Sequence, residues 1–266
     1  EPNLWPGSFY LTALSLNGQP SSTYTIDGQR LEIDLPAPLD PGGTLILDLD
    51  FELYLPAANP NSDPNVIRPQ IYGYTSRQMN LVDWYPFIVP YVPGQGWLLH
   101  NPWYFGEHLV YDMADYDVNL RFDGTAPVIA ASGYSEPNGE WTRYRLEGGR
   151  TFAFSASTEF QVSTTTTGEI TILSYYFSLY QAAGEAAMQA AARAIELFSQ
   201  SFSPYQHKTL TIVQGSFNDG MEFDGLFYLS NAFYNLYDGS PQNYLTFIAV
   251  HETAHQWWFG LVGNDQ

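Results

Sequence analysis

The chain has 266 residues, enough for one large domain or two ordinary ones, with 28 acidic against 9 basic side chains and a formal net charge of -19. That surplus repels phosphate backbones and anionic lipid surfaces, which argues against nucleic acid as a partner. The absence of cysteine removes disulfides, thiolate nucleophiles and thiolate metal sites, leaving His, Asp and Glu as the strong metal ligands.

From the start to about Phe160 the hydrophobic pattern has period two. The clearest case is Leu45 to Leu55, where Leu47, Leu49, Phe51, Leu53 and Leu55 alternate with Asp48, Asp50, Glu52 and Tyr54, which predicts a strand with one wet face. Shorter alternations predict strands at Leu31 to Leu35, Tyr116 to Phe122 and Phe152 to Ala156, separated by turn signals such as Asn17-Gly18 and Asp27-Gly28. The stretch from Asp83 to Gly106 is aperiodic and crowded with Trp84, Tyr85, Pro86, Trp97, Pro102 and Trp103; it reads as an ordered loop packed by its own rings, in preference to an exposed ligand groove.

The polar run Thr164 to Thr167, followed by Gly168, predicts a domain boundary, giving a β-rich domain over residues 1–165 and a second domain over 169–266. Beyond it, Ile170 to Phe177 reads as a strand, and Met188, Ala191, Ile195, Phe198 and Phe202 recur at helical spacing, in a helix that ends before Pro204. Short strands are expected around Leu210 to Val213 and Leu226 to Leu229, then a last helix with Ser240 as N-cap and Pro241 at its first position. The mixture predicts an α+β fold, and no apolar run approaches the roughly 20 residues of a membrane helix.

That last helix carries the chemistry. Tyr244, Ile248, His251 and His255 advance by steps of four, three and four, so both imidazoles project from one face, one turn apart, where they can reach a common ion. Zinc accepts neutral imidazole nitrogens readily, and Glu252 beside His251 is placed to take a proton from water at the metal. His100, His108 and His207 lack partner spacing and read as ordinary hydrogen-bonded histidines.

Upstream, Asp219-Gly220-Met221-Glu222-Phe223 resembles the GxMEN motif of the M1 family of zinc aminopeptidases, and Ala249 to Gly260, with His251-Glu252-Thr253-Ala254-His255-Gln256-Trp257, is similar to that family's zinc helix. The resemblance implies an N-terminal all-β saddle-like domain followed by the first part of a thermolysin-like catalytic domain. It also implies one Zn2+ held by His251 and His255, Glu252 as the catalytic residue, and Glu222 on the free amino group of a peptide substrate. Backbone groups at Gly220 and Met221 would then pair with the peptide. Asp219 and Phe223 depart from the motif, so a reshaped amine subsite is expected. The family's third ligand and catalytic tyrosine would fall beyond Gln266, so a weakly metallated, inactive piece of a longer aminopeptidase is expected, with an extracytoplasmic or membrane-associated parent favoured. The alternatives are a related zinc hydrolase, such as an endopeptidase or epoxide hydrolase, and a noncatalytic binding module.

Overall fold

The structure, a computed structural model, describes residues 7–58, 71–99, 111–217 and 219–263. Its contacts divide the chain into two units, Glu1–Ala57 and Ala58–Gln266. His100, His108, Pro102 and Trp103 lie outside the described residues.

The first unit contains β1 (Ser8–Leu16), β2 (Gln19–Pro20), β3 (Tyr24–Asp27), β4 (Arg30–Ile33) and β5 (Leu47–Tyr54). Along β5 the apolar residues are half-buried while Asp48, Asp50 and Glu52 are exposed, which is the alternation the sequence predicts. It pairs antiparallel with β1, and Phe9 stacks on Phe51 at 5.2 Å. Asn17 and Gly18 take φ of 50° and 75°, the left-handed pair that a two-residue hairpin between β1 and β2 requires.

The second unit opens with β6 (Gly73–Tyr74), β7 (Met79–Leu81), β8 (Tyr91–Val92), β9 (Gly96–Trp97), β10 (Ala114–Leu120), β11 (Val128–Ala131), β12 (Tyr134–Asn138), β13 (Trp141–Gly149) and β14 (Phe154–Ser157). These form sheets of order β10-β13-β12 and β11-β14-β7-β6, with β8 and β9 as a separate hairpin. The start of the aromatic stretch is scaffold, as expected. Trp84 lies edge-on to Phe154 at 5.7 Å, and the Tyr85 hydroxyl accepts from the Phe152 N–H at 3.0 Å. Farther along, Ile88, Tyr91, Trp97 and Leu99 are exposed.

The rest is a five-stranded sheet of order β15-β16-β17-β19-β18, built from β15 (Phe160–Thr167), β16 (Ile170–Phe177), β17 (Thr209–Gly215), β18 (Gly220–Phe223) and β19 (Leu226–Ser230). Strands β16, β17 and β19 are parallel, and the outer pairs are antiparallel. The threonine run is therefore strand, not linker. Thr164 to Thr167 pair residue for residue with Leu173 to Ile170, and Gly168-Glu169 form the hairpin turn between them. Threonine's β-branch suits a pleated surface, and this preference overrides the polarity that suggests a linker.

Helix α1 (Gln181–Ser201) connects β16 to β17 and packs on the sheet, burying Met188, Ala191 and Ile195. Gly184 sits against the Tyr176 ring, where a Cβ would overlap it. Phe202 falls just past the helix end, exposed, with its ring 4.7 Å from Trp258. Both faces of the sheet are covered: Ile212, Phe227 and Leu229 pack among the helices, while Val213, Leu226 and Tyr228 pack on the opposite side with Phe177 and Ala153. Burial on both faces fits the consecutive apolar residues Tyr175–Phe177, Ile212–Val213 and Leu226–Leu229 of the inner strands.

After the short α2 (Asn231–Asn235) comes α3 (Tyr244–Ala254). Its cap differs from the expected Ser240. Asn243 Oδ1 accepts from the Leu245 N–H at 3.0 Å, whereas Ser240 Oγ accepts from the Gln242 N–H at 3.2 Å and the Ser240 carbonyl accepts from the Asn243 N–H. Ser240-Pro241 thus starts a turn that presents Asn243 as the cap. Asn243→Ala is expected to lower stability by about 1 kcal/mol. Ser240→Ala should stay within about 0.5 kcal/mol of wild type. Urea midpoints of the two variants measure this, and the reverse ranking would restore Ser240 as the cap.

Candidate active site

Among the described residues, strand β18 is the edge of the five-stranded sheet, paired on one side with β19. The bond from the Ser230 N–H to the Asp219 carbonyl, at 3.0 Å, sets the phase of that ladder. The backbone groups of Gly220 and Glu222 therefore face the open side. The Gly220 N–H bonds the Asp219 carboxylate at 2.9 Å. Side chains alternate across the strand. Phe223 is buried in the core beside Val213, edge-on to Tyr228 at 5.9 Å, whereas Glu222 approaches α3. The Phe223 side chain is thus a core residue, on the face of the strand opposite Glu222.

Helix α3 lies against this strand at close range. A Cβ at Gly220 would overlap the Glu252 carboxylate, with Glu252 Cγ at 3.1 Å, so glycine is what lets the buried Glu252 side chain occupy that space. One turn apart on α3, the two imidazoles meet with Nε2 of His251 and Nε2 of His255 separated by 3.2 Å and ring planes at 84°.

These donors fit a zinc ion. Two nitrogens at the usual zinc distance on a tetrahedral centre stand about 3.3 Å apart. His255 Nδ1 lies 3.0 Å from the Trp258 carbonyl oxygen, which can only accept. The Nδ1 proton is thereby fixed, and the Nε2 lone pair is left for a ligand. Ligand atoms of Glu222, Glu252 and His255 all fall within 4.8 Å of one another, with Glu222 Oε1 3.4 Å from His255 Nδ1. Five of the six residues named from the sequence, Gly220, Glu222, His251, Glu252 and His255, are thus brought together, and His255 is shared by the imidazole pair and the carboxylate cluster. Met221 is half-buried and packs beside the core that holds Phe223.

No protein-family model matches the sequence, and no curated protein does. Solved structures do match. A glutamate-to-alanine mutant of the M1 zinc metallopeptidase of Deinococcus radiodurans, bound to the substrate Tyr-Ser-Ala, aligns with a TM-score of 0.62 at 18% identity, over 97% of this chain and 56% of that one. The unmutated Deinococcus protein gives 0.60 at 17%, and a two-domain M1 zinc metallopeptidase mutant bound to L-arginine gives 0.59 at 17%, with the same coverage. The chain has the fold of the M1 zinc metallopeptidases. It spans 56% of the length of those structures.

Within this M1 fold, two buried polar residues that the sequence reading did not assign a role hold the strand and the helix in place. Asp224, in the turn after β18, accepts at Oδ2 from the Arg150 N–H (2.9 Å), the Thr151 N–H (3.0 Å) and the Thr151 hydroxyl (3.1 Å). Arg150 continues to the segment after α3, its Nε donating to the Gly260 carbonyl at 2.9 Å. His207 is buried beside Asp224, Nε2 to Oδ1 3.8 Å, and takes no part in the candidate metal site. The second residue, Gln256, spans from the turn that follows α3 to the β18–β19 turn. The only sequence signals for them were an Asp-Gly turn and the glutamine that follows the second histidine. Asp224→Ala strands two buried backbone donors and should cost about 3 kcal/mol, while Asp224→Asn, which keeps an acceptor, should cost about 1 kcal/mol. Chemical denaturation of both variants tests this, and equal losses would mean that the accepting oxygen is not what matters.

Proposed function

We propose that this chain is part of a zinc-dependent aminopeptidase that removes N-terminal residues from peptides. The supporting observation is the convergence of Glu222, Glu252 and His255 within 4.8 Å, beside an edge strand whose outer backbone groups face its open side. In this reading residues 1–165 supply the β-rich saddle-like half and residues 169–266 the first part of a thermolysin-like catalytic domain, joined through the β15–β16 hairpin. The peptide bound in the Deinococcus structure supports peptides as the substrate class.

His251 and His255 would hold the ion through Nε2, which would supply Lewis acidity toward the scissile carbonyl. Glu252, buried against Gly220, accepts the proton of the attacking water at its carboxylate and returns it to the departing amine. Glu222 takes the α-ammonium group of the substrate, a charge-assisted contact that an internal peptide residue cannot offer. The outward backbone of Gly220 extends the sheet onto the peptide, which keeps the scissile bond in register with Glu252.

The whole protein should hydrolyse amino-acyl anilides and cleave their N-acetylated counterparts on the order of 100-fold more slowly, because acetylation removes the charge Glu222 reads. Equal hydrolysis of both would eliminate the exopeptidase reading and favour an endopeptidase, and absence of stoichiometric zinc by elemental analysis would favour a noncatalytic module. Glu252→Gln should lower kcat by about 100-fold or more. Gly220→Ala should also reduce kcat, by about 10-fold or more, through displacement of the Glu252 carboxylate, with the melting temperature nearly unchanged. Full activity in the alanine variant would mean that the close approach is incidental.

A further inference from the structure

We propose that Gln256 is a positioning residue, whose buried side-chain amide fixes the β18–β19 turn against α3 and so sets where Glu222 stands relative to the histidines. The proposal rests on the aminopeptidase reading above, since it concerns how that site is held.

Gln256 follows His255 directly and is 5% exposed. Its Oε1 accepts from the Gly225 N–H at 2.9 Å and its Nε2 donates to the Phe223 carbonyl at 3.0 Å, so one planar amide engages the backbone on both sides of Asp224. A flipped amide would put donor against donor and acceptor against acceptor, so only one orientation serves. The Tyr205 hydroxyl lies 3.5 Å from the same Oε1. Phe223 is the residue after Glu222, just as Gln256 is the residue after His255. The Gln256–Phe223 bond is therefore one residue along both chains from the 3.4 Å approach of Glu222 to His255. Loss of the amide would remove the tie of this strand end to the segment after α3, leaving Asp224 and the Phe223 ring to hold it from the other side.

The imidazole pair is placed by its own helical spacing, whereas the two bonds of the Gln256 amide run to the backbone of Gly225 and Phe223. Recognition of the amino group depends on those two bonds, since Glu222 is carried by the strand. Misplacement of a binding group by about 1 Å costs on the order of 100-fold in rate. A glutamine that merely filled the core would instead affect folding, metal and substrate alike.

The test compares the full-length protein with Gln256→Met, which keeps the length and loses both bonds, and with Gln256→Glu, which keeps the acceptor for Gly225 and loses the donor to Phe223. Hydrogen exchange at the Gly225 amide, zinc affinity by chelator competition, and calorimetric binding of leucinamide and N-acetyl-leucinamide are measured beside KM and kcat on an anilide. In Gln256→Met the Gly225 amide should exchange faster. Zinc affinity should change by less than the roughly 10-fold that follows loss of a partner of a ligating imidazole. The preference for the free amine should fall by about 10-fold or more, in KM more than in kcat, with Gln256→Glu intermediate. An unchanged preference despite faster exchange would overturn the proposal, as would a parallel fall of melting temperature, zinc affinity, kcat and KM discrimination. A wild-type protein with no preference for the free amine would refute the aminopeptidase reading itself, a result distinct from either.

Discussion

The site depends on one close contact, the approach of α3 to the edge strand β18 at Gly220, where the Glu252 side chain occupies the space that any larger residue would claim. That approach draws carboxylates inward. Glu222, Asp224 and Glu252 are 4%, 2% and 3% exposed, in a protein already carrying a formal charge of -19. Buried carboxylates are costly unless bonded or balanced by positive charge. At Asp224 the balance comes from three donors on Arg150 and Thr151. Glu222 Oε1 lies 3.4 Å from Nδ1 of His255, and ligand atoms of Glu222, Glu252 and His255 fall within 4.8 Å of one another.

What the sequence revealed follows from where periodicity and burial coincide. Strand β16 begins and ends at the predicted Ile170 and Phe177, a stretch rich in β-branched and aromatic residues that follows the Gly168-Glu169 turn. The face of α1 and the shared face of His251 and His255 were equally plain, since helical spacing is local information. The threonine run Thr164 to Thr167 is polar in composition yet pairs as strand, because its β-branched side chains suit a pleated surface. Ser240 misled because two capping residues stand three apart, and the choice between them is made by a turn that consumes the first.

The unforeseen partners share a different cause. Asp224 bonds to residues 73 and 74 positions away, and Gln256 to residues 31 and 33 away. No local pattern encodes such pairings. A buried amide or carboxylate can be recognised as needing partners, but which backbone groups supply them is a property of the fold.

Phe223 shows how an edge strand can be pinned through both its side chain and its backbone. Its ring is anchored by Tyr228 in the core on the side of the sheet away from the helices, while its carbonyl accepts the Gln256 amide from the turn that follows α3. One residue is thus gripped from both sides, next to Glu222. An asparagine at that position would bring a polar side chain into an apolar cluster of Val213, Leu226 and Tyr228, where it would need its own partners. The phenylalanine exchanges that polar group for packing and leaves positioning to the backbone, so the geometry of Glu222 is set by how firmly the strand end is held between core and helix.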